Sequence, residues 1–157
     1  MRIIKPSFEI WEQEAGLEGV FRQIERAGRV CYKSEDKITE NSAKEFVERL
    51  IKLQHFAMLE HGTVYLKCKS QIVNRYIHPE DGLEEELNIL DKYYDNSYSK
   101  VENDGEWLYV ATNLRVLVEN DWLDDLQYIC EPTEYHSKRH TVKFICDRGV
   151  SHKQFVA

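Results

Sequence analysis

The sequence predicts an α+β fold. Two amphipathic patterns with helical spacing follow an opening strand-like segment, and alternating apolar and polar residues appear later, between further helical segments. This order lacks the regular βαβα alternation that is typical of a parallel sheet, so α+β is the better assignment. The length of 157 residues suits a single domain, 1–157, with a substantial core.

The first half of the chain contains the clearest elements. MRIIKP is typical of a short strand ended by Pro6, and apolar residues at helical spacing predict a helix over residues 16–28, with Gly28 at its C-terminal end. Ser42 begins a capping-box pattern ahead of an apolar stripe, which predicts a second helix over residues 42–54. The alternation in HGTVYLKCK predicts a half-buried strand.

The second half mixes strands with helices. Acidic residues 80–95 carry leucines at helical spacing and predict a short surface helix, whereas 96–106 is expected to be a loop. WLYVAT predicts a strand, and Asn113 is expected to cap the helix that follows and to be succeeded by a break at Asn120 and Asp121. The alternation of Val142, Phe144 and Cys146 with polar residues predicts a last strand. A turn is expected over 147–149 (Asp-Arg-Gly), followed by a helix that Ser151 could cap.

Composition excludes several classes of protein. No run approaches the roughly 20 apolar residues of a membrane span, and the N-terminus has no secretory pattern, so a cytoplasmic protein is expected. The four cysteines form no CxxC pair, so a metal site is not predicted, and reduced thiols are expected, with Cys68 and Cys146 in the core. A net charge of −7 argues against DNA or RNA as a partner, but it leaves room for an anionic small molecule in a local pocket.

Three segments are candidates for chemistry, each with a purely structural alternative. AGRVCYKS, residues 27–34, places small polar groups at a helix end, although the pattern alone favours a connector between helices. In residues 54–65, His55 follows a helix while Glu60 and His61 precede a strand, an arrangement typical of site residues. The carboxylate beside His61 would favour its charged form. The pattern alone nevertheless favours a helix-capping His55 and a solvated turn.

The third segment is FICDRGVSHKQFVA, residues 144–157. A helix beginning near Ser151 could hold a phosphate, and a capped helix with a fixed Asp147–Arg148 pair is an equal alternative. The remaining histidines, His78, His136 and His140, are expected at the surface, and the stripe in ENDWLDDLQYICEP is expected to serve packing.

The chain resembles flavin-dependent thymidylate synthases. The resemblance rests on AGRVCYKSEDKITENSAKEFVERLIK, on LEHGTVYLKC and on TNLRVLVENDWLDDLQYICEPTEYHSKRHTVKFICDRGVSH, in that order. It covers nearly all of residues 1–152, and 80–97 alone resembles a surface insertion. It implies a mixed or antiparallel sheet flanked by helices and a homotetramer with active sites built from several subunits. The implied reaction is the methylation of dUMP to dTMP, with methylenetetrahydrofolate as the carbon source and NADPH as the reductant through FAD.

The resemblance also implies roles for individual residues. His55 matches the histidine that lies by the flavin and influences catalysis, and Glu60 matches an acidic flavin contact. Cys31 matches a small polar residue against FAD, Ala57 stands where a hydroxyl residue can occur, and His61 follows Glu60 as in relatives. Gln154 aligns with a residue that helps to bind dUMP.

The family's Arg-His-Arg motif would follow a segment like DRGVSH, but here HKQFVA ends the chain. Two interpretations follow: a fragment of a longer synthase, or a truncated relative that binds flavin or nucleotide, or assembles with another subunit, without catalysis. A chain that ended here is expected to lack independent synthase activity, because the motif carries contacts to the dUMP phosphate. An unrelated α+β domain is the third alternative.

Overall fold

A computed structural model describes residues 5–70, 73–77 and 84–146, and within these the backbone path alone for 73–77 and 84–87. The chain combines α-helices with antiparallel sheets, which confirms the α+β prediction. Residues fall into two compact units: a larger unit, Gln13–Lys138, and a smaller unit made of Met1–Glu12 and Arg139–Ala157. The predicted turn at 147–149, the helix at Ser151 and Gln154 lie outside the described residues.

Two helices open the larger unit. Helix α1 spans Gly16–Cys31, one turn beyond the predicted end, and α2 spans Ser42–Lys52. Gly28 therefore lies inside α1 instead of ending it, and a Cβ there would be 2.7 Å from the ring of Phe46. The missing side chain lets α2 pack closely on α1 at this point.

A three-stranded antiparallel sheet forms the centre of the larger unit. Strands β2 (Thr63–Lys69) and β6 (Trp107–Asn113) pair along their full length, and β5 (Lys100–Asn103) pairs with the other side of β6. The strands predicted from HGTVYLKCK and WLYVAT are confirmed as β2 and β6. The prediction of a loop at 96–106 is wrong, because this segment contains β5. The inward residues of β2, which include Cys68, are buried as alternation predicts.

The segment predicted as a surface helix, 80–95, forms a strand followed by a single 3-10 turn where it is described. Strands β3 (Val73–Ile77) and β4 (Glu84–Asn88) form an antiparallel pair, followed by a single 3-10 turn over Asp91–Tyr93. Leu90 and Tyr93 are fully buried in the core. The leucine spacing suits a helix, but strand pairing and core burial are tertiary effects that override so short a pattern.

A short helix, α3 (Leu114–Glu119), follows β6 directly. The side chain of Asn113 accepts a hydrogen bond of 3.1 Å from the backbone N–H of Val116, so the predicted cap is confirmed. Asp121 adopts a φ of 60°, which ends the helical run where the sequence predicted a break. A 3-10 helix, Leu123–Tyr128, comes next.

The core of the larger unit joins α1, α2, α3 and the three-stranded sheet. Its buried members are apolar or aromatic, apart from Cys68: Val20, Ile24, Phe46, Val47, Leu50, Leu59, Val64, Leu66, Cys68, Leu90, Tyr93, Leu108, Val110, Leu114, Val116 and Leu117. Each described helix is too short or too polar to cross a membrane.

The smaller unit contains an antiparallel pair, β1 (Ser7–Trp11) and β7 (Thr141–Ile145). Strand β1 begins after Pro6, and most of the predicted opening strand, residues 1–4, lies outside the described residues. Phe144 is 57% exposed and Cys146 is exposed, so the prediction of a core Cys146 is wrong. Two strands cannot enclose an apolar core by themselves. Alternation in the sequence indicates which residues share one face of a strand, but it does not indicate whether another element packs on that face.

Candidate functional site

The predicted site residues lie at the C-terminal ends of α1 and α2 and in the turn that follows α2. Cys31 is the last residue of α1, and His55 precedes a 3-10 helix, Phe56–His61, which carries Ala57, Glu60 and His61. All five residues are exposed. This 56–61 helix packs against α1 and α3. Close packing is possible because Gly62 faces Ile24, where a Cβ would stand 2.5 Å from the isoleucine side chain.

His55 contacts the residue that follows Cys31. The hydroxyl of Tyr32 lies 3.2 Å from His55 Nδ1. Sequence reasoning did not single out Tyr32, although it stands inside the AGRVCYKS segment. The fold therefore joins two of the three candidate segments, 27–34 and 54–65, through side chains that remain open to solvent.

Glu60 is not a free carboxylate. The guanidinium of Arg115 on α3 forms an ion pair with Glu60 and also donates from Nε to Glu119 Oε1 over 2.8 Å. Hydrogen bonds to Glu119 and Glu60 raise the pKa of Arg115 and keep its charge in place. Arg115 was also missed at the sequence level, because nothing in TNLRVLVEN indicates which acidic group it would meet.

His61 behaves differently from its prediction. The sequence placed it beside a carboxylate that would favour the charged imidazole. In the structure, loss of hydration lowers the pKa of His61, and the attraction of Glu60 opposes this only in part. The neutral ring is favoured because the imidazole rests partly against the protein while Glu60 is engaged by Arg115.

Neither metal coordination nor a disulfide is formed by the described residues. Within 5–70, 73–77 and 84–146, no three His, Cys, Asp or Glu side chains converge as metal ligands. Cys31 and Cys68 are free thiols, as are Cys130 and Cys146. The 27–34 and 54–65 segments offer exposed polar groups suited to hydrogen bonding with a ligand: two imidazoles, a thiol and a carboxylate that is paired with Arg115 of α3.

A separate open groove lies beside α1. Its volume is about 590 Å³, and it is lined by Arg22, Glu25, Arg26, Ile38, Thr39 and Glu40. The five described site residues are absent from its lining. The groove and the predicted site are therefore different surfaces.

His136 is buried, contrary to the surface position predicted for it. The backbone N–H of Thr133 donates to His136 Nδ1 over 3.0 Å, so the ring proton lies on Nε2, which is 3.1 Å from the carbonyl oxygen of Leu66. Cys130 Sγ lies 3.8 Å from the same Nε2. Since Nε2 already carries a proton, His136 cannot act there as a base toward Cys130, and the arrangement ties the 130–136 turn to β2.

This geometry predicts an acid-sensitive fold. Burial lowers the pKa of His136; the Leu66 bond opposes the shift and the cation of Lys67 adds to it. Below pH 6.5, the ordinary pKa of histidine, the unfolded chain binds a proton at this position that the folded chain does not. The free energy of unfolding therefore has its full value above that pH and decreases as the pH falls toward the pKa of His136 in the folded state.

Urea unfolding from neutral pH to about pH 5 is the measurement. We expect the His136→Gln variant to be less stable at neutral pH and to lose less stability on acidification than the wild type. His140→Gln, at an exposed position, is the control and should retain the wild-type slope. Equal slopes in the wild type and His136→Gln would contradict the assignment.

The chain was compared with protein families, curated proteins and solved structures. None of them matches it. The flavin-dependent thymidylate synthase family therefore stays a prediction that rests on the ordered segments and on the residues within them.

Proposed function

We propose that this chain forms the flavin-contacting part of a flavin-dependent thymidylate synthase, which methylates dUMP to dTMP in the cytosol with methylenetetrahydrofolate, FAD and NADPH. The observation that carries the proposal is the contact between Tyr32 and His55. The contact joins the two segments that resemble the family's flavin pocket, through two residues that are 23 positions apart in the sequence. A surface assembled from distant segments is typical of a ligand site.

The exposed groups fit a flavin chemically. His55 offers a ring nitrogen, Cys31 a small polar side chain and Ala57 an apolar surface without a hydroxyl. Glu60 would orient a ligand through a carboxylate that Arg115 already holds in place. Bound FAD would supply the redox chemistry, while the protein would bind and orient it and limit access of water.

The proposal includes an assembly. The described residues form a surface and not an enclosed cavity, and the resemblance implies a homotetramer in which several subunits complete each site. Gln154, proposed to contact dUMP, lies outside the described residues.

Flavin binding by the purified chain tests the proposal. We expect the purified chain to keep visible flavin absorbance after desalting. His55→Ala should bind FAD about tenfold more weakly than the wild type, because it loses a polar contact and the packing of the imidazole ring on the ligand. His140→Ala is the matched control, because its imidazole is exposed but lies in the smaller unit. Formation of dTMP from dUMP with methylenetetrahydrofolate and NADPH is the second readout.

The outcomes separate the alternatives. Flavin binding with dTMP formation supports an active synthase. Flavin binding without dTMP formation supports the flavin pocket and fits both a fragment of a longer synthase and the non-catalytic relative. A chain that binds no FAD at any concentration tested and forms no dTMP refutes the proposal and leaves the unrelated α+β domain.

A further inference from the structure

We propose that Tyr32 is a positioning residue that holds His55 as the tautomer with its proton on Nε2, so that Nε2–H is the donor offered to an acceptor atom of the flavin ring. The flavin half of this inference rests on the proposed function, whereas the tautomer half rests on the Tyr32–His55 contact and on the donor chemistry of a phenol. The family resemblance assigns no role to Tyr32.

The Tyr32 ring is held by the packing of α1 on α2. Its backbone N–H donates to the carbonyl oxygen of Gly28 over 2.9 Å, which continues the helical hydrogen bonding to the residue after α1. Its ring meets the Phe46 ring edge-on, with centroids 6.4 Å apart. Phe46 is 2% exposed and lies under the guanidinium of Arg29, at 4.6 Å from Cζ to the ring centroid. Tyr32 therefore rests on a buried support.

The other partner is anchored by its backbone. The N–H of His55 donates to the carbonyl oxygen of Leu50 over 2.9 Å. The preceding residue, Gln54, has a φ of 57°, which turns the chain sharply after α2. Two anchored backbones, together with the Phe46 contact of the Tyr32 ring, thus limit the positions of the two exposed side chains, whose hydroxyl and Nδ1 atoms lie 3.2 Å apart.

Hydrogen-bond chemistry then selects the tautomer. A phenol is a good donor, and a neutral imidazole has one acceptor nitrogen and one N–H. When the hydroxyl donates to Nδ1, the ring proton must reside on Nε2. Among the described residues, His55 Nδ1 has a hydrogen-bond partner and Nε2 has none, so Nε2–H remains available to a ligand. Carbonyl oxygens and unprotonated ring nitrogens of an isoalloxazine are acceptors of that type.

NMR of the imidazole nitrogens in the whole chain, without flavin and at about pH 9, where an ordinary imidazole is neutral, tests the tautomer. His55→Gln identifies the His55 signals. We expect the wild type to show one tautomer with the proton on Nε2, and Tyr32→Phe to show averaged shifts from both tautomers. Tyr94→Phe, a comparably exposed tyrosine, should leave the His55 signals unchanged. A wild-type proton on Nδ1, or no response to Tyr32→Phe, would overturn the inference.

Flavin affinity tests the second half. Tyr32→Phe should weaken FAD binding about threefold to tenfold, the effect expected for one lost hydrogen bond. In a His55→Gln background the same change should have no further effect, because Tyr32 acts through His55. Additive losses would overturn the positioning role. If the wild type binds no FAD, the proposed function fails together with the donor role, whereas the NMR result still decides the tautomer.

Discussion

Replacing Glu25 with alanine is expected to lower the free energy of unfolding by about 3–5 kcal/mol, the usual cost of removing one partner from a buried ion pair. The Glu25 side chain is 2% exposed and that of Arg29 is 10% exposed. Arg29 donates to Glu25 Oε1 from Nε over 3.1 Å and from Nη2 over 2.8 Å. The variant leaves this guanidinium with little access to water and without its carboxylate.

A second contact of Glu25 increases the expected loss of stability in Glu25→Ala. The hydroxyl of Ser42, the first residue of α2, donates to Glu25 Oε2 over 2.9 Å. Glu25 therefore connects α1 with the start of α2, whereas the sequence pattern assigned Ser42 to capping its own helix. Removing the carboxylate affects the α1–α2 contact as well as the ion pair, since Arg29 also lies over Phe46.

The chain contains its own control for this experiment. Glu18 and Arg22 have the same residue types and the same spacing in the same helix, but their side chains are 56% and 47% exposed. Glu18→Ala should leave stability nearly unchanged, because solvent screens an exposed pair. Urea unfolding of both variants measures the difference. Similar losses in Glu18→Ala and Glu25→Ala would show that burial does not govern the Glu25 effect.

The Asp125→Ala variant is expected to lose about 3 kcal/mol of unfolding free energy, because a buried carboxylate that accepts a hydrogen bond and forms an ion pair disappears. Asp125 Oδ2 lies 2.7 Å from the hydroxyl of Tyr93 and 2.7 Å from Lys92 Nζ. Tyr93 is fully buried, and burial, followed by the hydrogen bond to Asp125, raises its pKa. Its hydroxyl thus stays a protonated donor, and the variant leaves it without this acceptor.

Asp124 provides the matched control, since it is the adjacent aspartate and is exposed. Asp124→Ala should change the free energy of unfolding little. Adding Tyr93→Phe to Asp125→Ala should recover part of the loss, because it removes the buried hydroxyl that has lost its partner. Thermal or urea unfolding of the four proteins decides this, and a double variant less stable than Asp125→Ala would contradict the mechanism.

Local signals were sufficient for the elements whose stability is local. The stripes that became α1 and α2, the alternation of β2 and β6 and the Asn113 cap depend on residues a few positions apart, and the structure contains each of them. The α+β class follows from their order. The candidate segments 27–34 and 54–65 were also visible, because polar residues stood where elements end.

Pairings between distant residues were decided by tertiary structure alone. Tyr32 with His55, Arg115 with Glu60 and Asp125 with Tyr93 are separated by 23, 55 and 32 positions, and no local period reports such contacts. The same reason explains the errors. His136 was assigned to the surface from its polar neighbours, yet it is buried against Leu66, 70 positions away. Cys146 alternates like a core residue but is exposed, because a pleat determines the face and only packing determines whether that face is covered.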